Sequence, residues 1–146
     1  MNKNPANFVP LTPISFLHRT ADIYGQRQAV VYENRSYTWY ESRDRCVRMA
    51  SSLSNIGVQK GDTVAVFAFN TPEMFESHFS VPMSGAILNT INVRLDANTV
   101  AYILDDGNAK ALIVDRELFD IASKALSVSS SQPTVILIDD EFADTK

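Results

Sequence analysis

The run Thr63 to Phe69 (Thr-Val-Ala-Val-Phe-Ala-Phe) constrains this chain more than any other stretch. It is almost unbroken in apolar residues and rich in Val and Phe. It sits between a turn, Lys60-Gly61-Asp62, and a helix-start signature, Asn70-Thr71-Pro72-Glu73. A run of that length without polar alternation suits a strand buried on both faces, as in a parallel sheet covered by helices on either side. Proline suits the first helical turn, and an acid there meets the positive end of the helix dipole.

The pattern then repeats. A helix is predicted over Glu73 to Ser84, stopped by Gly85, then a strand over Ala86 to Ile91. Asp96 is read as the cap of a helix to about Asp106, with Val100, Ile103 and Leu104 inward and Gly107 at its end. A strand over Ala111 to Val114, a helix over Asp115 to Leu126, a polar linker over Ser127 to Gln132 and a last strand over Thr134 to Ile138 complete the series. Strand–helix alternation of this kind predicts an α/β fold, a mostly parallel sheet with covering helices. The right-handed crossover rule makes it doubly wound. Val64, Val66, Ile113, Val114, Ile136 and Ile138 are expected in strands.

Before residue 60 the chain reads differently. Residues 1–11 are read as an arm. Thr12-Pro13 opens a helix with Phe16, Leu17, Ala21 and Tyr24 on its apolar face and Gly25 as its stop. Gln28 to Glu33 is a strand, Asn34-Arg35 a turn, and Ser36-Tyr37 the returning strand of a short hairpin. Thr38 and Glu41 have capping-box spacing. The helix they open carries Trp39, Cys46, Val47, Ala50, Leu53 and Ile56, with Gly57 as a left-handed stop.

Of the 146 residues, 45% are hydrophobic and 21% charged, so a packed core rather than disorder is expected. The net charge of -4 and the absence of a basic stripe argue against nucleic acid as a partner. No apolar run approaches the roughly 20 residues a membrane span needs. One cysteine, Cys46, cannot form an internal disulfide, which fits a reducing, intracellular compartment.

Few residues invite a chemical role. Cys46 falls on an apolar helix face and reads as a buried structural thiol. His18 and His78 lack metal-ligand spacing. Gly61, Gly85 and Gly107 do not fall in phosphate-loop spacing and read as turn or cap residues. Met74 and Met83, beside Phe75 and Phe79, read as core packing rather than an acyl-chain wall. Asp105-Asp106 reads as a helix end, and Asp139-Asp140-Glu141 as part of an exposed acidic tail, residues 139–146. No catalytic, cofactor-binding or metal-binding residue is assigned.

The order Lys60-Gly61-Asp62-Thr63-Val64-Ala65-Val66, Asn70-Thr71-Pro72-Glu73, Gly85-Ala86 and Leu95 with Tyr102-Ile103-Leu104 resembles the early part of AMP-forming adenylating enzymes. Residues Asn4 to Leu17, Glu76 to Ala86 and Leu88 to Leu95 look like those of plant-type acyl-activating enzymes in particular. The resemblance implies that residues 12–138 are an incomplete AMP-binding N-terminal domain. It implies a parent that joins a short-chain, medium-chain or aromatic carboxylic acid to AMP with ATP and Mg, then passes the acyl group to CoA. The family's Ser/Thr/Gly-rich phosphate loop ending Pro-Lys-Gly, its aromatic-Gly-Glu segment, its ribose aspartate and its C-terminal-domain lysine do not occur here. The resemblance therefore implies a scaffold fragment that is itself inactive, in the cytoplasm or a peroxisome. The alternative is a non-catalytic module that pairs with a full-length relative, or self-associates, through open sheet edges.

Overall fold

Thr63–Phe67 forms the inner strand β3 of a four-stranded parallel sheet, and Val64, Ala65, Val66 and Phe67 are all fully buried. The structure is a computed structural model, described here for residues 2–4 and 7–142. The parallel strands are β3, β4 (Ile87–Thr90), β5 (Ala109–Asp115) and β6 (Thr134–Ile138), in the spatial order β4-β3-β5-β6. In register, Val64 lies beside Leu88 on one side and Ala111 on the other, and Ile113 lies beside Ile136. All six residues expected in strands are in strands.

Helices cover both faces, as the doubly wound reading requires. On one face α4 (Ala97–Asp106) and α5 (Phe119–Val128) pack Val100, Leu104, Ala122 and Ala125 against Ala65, Phe67, Leu112 and Val114. On the other, α2 (Trp39–Asn55) and α3 (Pro72–Met83) bring Leu53 and Val81 onto Val64, Val66, Ala111 and Ile113. Alternate residues of β3 and β5 thus serve opposite cores, which is the period-two geometry of a strand.

The caps read from sequence form. Thr38 and Glu41 make a reciprocal capping box, Thr71 caps α3, and Asp96 accepts from Asn98 and Thr99. Thr12 and Ser15 add a second capping box on α1 (Pro13–Tyr24). These satisfy amide donors that a helix start leaves without partners.

Several expectations need correction. The apolar face of α1 is narrower than its sequence suggests: Leu17 and Ala21 are buried, but Phe16 and Tyr24 are exposed, as are Val47 and Ile56 on or just after α2. The hairpin is β1 (Gln28–Tyr32) and β2 (Arg35–Thr38), so its turn is Glu33-Asn34, one residue early, with Glu33 in the left-handed region at φ 50. Gly57 is left-handed at φ 92, as expected, but Gly25 and Gly107 are right-handed. Asn108, at φ 46, makes the reversal after α4. Asp115 ends β5 and caps a 3-10 turn, Arg116–Leu118, so the helical segment from Asp115 is two pieces. The Ser127–Gln132 linker is not solvated throughout. Ser129 is buried, and its hydroxyl donates to Asp105 at 2.6 Å while the Ser131 amide donates to the same carboxylate at 2.8 Å.

Gly25 is there for space rather than for a positive φ. A Cβ at this position would lie 2.3 Å from a Tyr40 ring carbon and 2.5 Å from the Ala21 carbonyl oxygen. Gly25→Ala is expected to cost about 1–3 kcal/mol, an overpacking penalty, read as a lowered urea midpoint at unchanged slope.

Candidate functional site

In open α/β sheets, ligands sit beyond the carboxyl ends of the strands where the strand order reverses. Here that point lies between β3 and β5, because the chain leaves β3 towards β4 and then returns past it to β5. The loop Phe69-Asn70-Thr71 and the β5 end, Asp115, form it. Asp115 is buried and accepts from the Glu117 amide at 3.1 Å, and the Phe69 amide acts on its carboxyl from the neighbouring loop. Burial raises its carboxyl above the ordinary range, against these two amides. Both are main-chain groups of this crest, the loops at the carboxyl edge of the sheet.

Beside the crest lies a groove of about 640 Å³ between β1 and the start of α3. Its walls are mainly apolar: Val30, Val31, Met74, Phe75 and Phe79, with His78 at the rim. Phe75 and Phe79 meet edge-to-face, 5.2 Å apart, and are half-buried. The core-packing reading therefore holds for Met74, which reaches the α2/α3-side core, whereas Phe75 and Phe79 line an open surface. His78 is exposed, with Nδ1 2.9 Å from the Met74 carbonyl oxygen, and His18 is exposed on α1, so the two lie on different helices.

Charge concentrates where α2 meets α3. The Arg45 guanidinium makes a short bond to Glu76 and a 3.2 Å bond to Glu73. The Glu76 side chain is only 7% exposed, which is what makes the pairing obligatory. Burial raises the Glu76 carboxyl even though Arg45 opposes it. Burial by itself would lower Arg45, but Glu76 raises it overall. Cys46, next in sequence, is wholly buried with Sγ 3.7 Å from the Glu76 carbonyl oxygen, and burial pushes its thiol up to about 12. It is the inert thiol expected.

Asp140 overturns the exposed-tail reading. It is 2% exposed, accepts the Tyr32 hydroxyl at 2.6 Å and pairs with Arg35 at 3.3 Å. Asp139 fits the expectation better, since it is exposed and pairs with Arg116 at 3.0 Å. Sequence reading missed Arg45, Glu76, Tyr32, Arg35 and Asp140. For Glu76 a signal existed: it shares the α3 stripe of Pro72, Ser80 and Val81, all buried, so an acid there demands a cation. For Asp140 none existed, because its partners are 105 and 108 residues away in sequence.

The AMP-binding enzyme family matches residues 17–146, and the chain belongs to that family. It is 41% identical, over 99% of its length, to the acetate–CoA ligase CCL3 of Humulus lupulus. It is 44% identical, over 97%, to the peroxisomal trans-cinnamate:CoA ligase of Petunia hybrida. In each case it spans 27% of the relative's length, about a quarter. The N-terminal domain of FACL13 from Mycobacterium tuberculosis superposes with a TM-score of 0.80 at 26% identity, over 88% of this chain and 34% of that one.

Two outcomes test the site. Removing one member of a buried ion pair strands the other, so Arg45→Met is expected to cost about 2–3 kcal/mol of unfolding free energy, scaled down from a fully buried pair because Arg45 is partly exposed. Arg45→Met combined with Glu76→Leu should recover part of it; equal loss in both variants would contradict the pairing. Separately, the bond to Asp140 raises Tyr32 from 10.0 to about 12. A raised folded pKa stabilises below the unfolded value and loses that contribution as pH climbs through the folded one, so this bond weakens between pH 10 and 12. Absorbance at 295 nm should show a tyrosine titrating late, and Asp140→Ala should bring it back towards 10.

Proposed function

We propose that this chain supplies scaffold to an AMP-forming acyl-CoA ligase and performs no adenylation by itself. The family match over residues 17–146 carries the reading. The parent enzyme would use ATP, Mg and CoA on a short-chain, medium-chain or aromatic acid. Residues 12–138 would be the part of its large domain present here, within the cytoplasm or a peroxisome.

The crest does not fit the phosphates of a nucleotide. A phosphate cradle needs a loop of free backbone N–H groups with a cation nearby. The start of α3 instead spends its Met74 amide on Thr71 and carries Glu73, an acid, in the first turn. Asp115 is occupied by the Glu117 amide. No adenylation step is therefore assigned to these residues, since pyrophosphate departure depends on placed positive charge.

The test is pyrophosphate release by the purified chain with Mg-ATP and acetate, butyrate, cinnamate or benzoate in turn. No release above a protein-free blank is expected. Release that tracks the protein through a second, orthogonal purification would overturn the proposal.

A second reading, a module that pairs with a relative or with itself, draws on β6 as an edge strand. Val135 and Leu137 are 39% and 46% exposed there, and the strand Thr-Val-Ile-Leu-Ile carries no charge or proline to blunt it. Size-exclusion chromatography with light scattering should show concentration-dependent association that Leu137→Lys weakens. A monomer at every concentration would remove this reading.

A further inference from the structure

We propose that the hairpin β1–β2 is a movable wall of the groove against α3, hinged at its base and latched at its tip by a strap, residues 139–142, whose working residue is Asp140. At the base, the hairpin is anchored by main-chain bonds, Trp39 N–H to the Arg27 carbonyl and Tyr40 N–H to the Gly25 carbonyl, each 3.1 Å. At the tip, Tyr32 and Arg35 face each other across the Glu33-Asn34 turn and both reach Asp140. The hairpin forms its own two-stranded sheet, with no strand pairing to the four-stranded one. An isolated two-stranded hairpin is marginal in water, so its position depends on what holds it.

The strap is built to hold. Asp140 is the second residue after β6, and its Oδ1 also accepts the Phe142 amide at 3.1 Å, which curls the segment back. The Phe142 ring meets Tyr32 edge-to-face at 6.0 Å, and the Arg35 guanidinium lies 5.1 Å from the Tyr32 ring and 5.7 Å from the Phe142 ring. Arg35 also pairs with Glu73 of α3 at 3.6 Å, which ties the hairpin tip to that helix. Arg35 Nε and Glu73 Oε2 are buried without hydrogen-bond partners, so the latched arrangement leaves two polar groups unsatisfied. An unmet pair of this kind offsets part of the latching free energy. Along its length the hairpin also packs on α2, with the Arg45 guanidinium 4.3 Å from the Tyr37 ring, and β1 touches α3 beside the half-buried Phe75 and Phe79.

The test places spin labels at Asn34→Cys, on the exposed turn, and His78→Cys, on the exposed rim of α3; Cys46 is buried and stays unlabelled. Double electron–electron resonance should give a narrow distance distribution in the parent protein. Asp140→Ala should broaden it towards longer distances, and Tyr32→Phe should do so to a smaller extent. Amide exchange at Val30, Val31, Ser36 and Tyr37 should accelerate at least tenfold in Asp140→Ala while Val64 to Phe67 stay unchanged. An unaltered distance distribution in Asp140→Ala, or hairpin and β3 amides accelerating together, would overturn the proposal. Should Asp140→Ala fail to fold, Tyr32→Phe decides alone: broadening supports the proposal and an unchanged distribution sinks it.

Discussion

Everything in this molecule depends on β3 being out of water on both sides. A strand whose Val64, Ala65, Val66 and Phe67 are fully buried cannot exist without two covering layers. One layer must come from chain before it and after it, α2 and α3, and the other from α4 and α5. Right-handed crossovers then fix the order β4-β3-β5-β6, and that order fixes where the crest loops meet. The caps at Thr38, Thr71 and Asp96 start each covering helix where the sheet needs it.

Between the helix α2 and the sheet's carboxyl edge, polar chemistry takes over from burial. Glu76 is held inside by Arg45, Glu73 is shared by Arg45 and Arg35, and Arg35 passes the connection to Asp140 at the end of β6. This chain of charges joins the first third of the sequence to its last described residues. A purely apolar junction would fill the same space without fixing how the hairpin is oriented. The geometry of the Arg forks supplies that orientation.

The sheet was legible in the sequence because its signals are local. An apolar run, a Thr-Pro helix start and an Asp cap each act within a few residues, and each appears where expected. What failed was of two kinds. Side chains that a helical wheel puts inward, such as Phe16 and Val47, lie outside because an isolated helix does not say how wide its covered face is. Asp140 was misplaced because nothing in its neighbours reveals Tyr32 and Arg35, and no periodicity reaches that far. The family resemblance was legible for a different reason: weak motifs in a fixed order are specific together. It identified kinship, and no site residue was assigned from it.

The account makes the chain one cooperative unit built on β3, with the hairpin–α2 region coupled to the sheet through packing and charge. The single tryptophan, Trp39, reports on that region, while far-UV circular dichroism reports on the whole. Urea unfolding followed by both probes, in the parent and in Val66→Ala, is therefore the most direct test. Coincident transitions are predicted, with both midpoints falling by the same amount in Val66→Ala. A Trp39 transition that stays in place while the circular dichroism transition moves would show that β3 does not govern the structure, and would contradict the account.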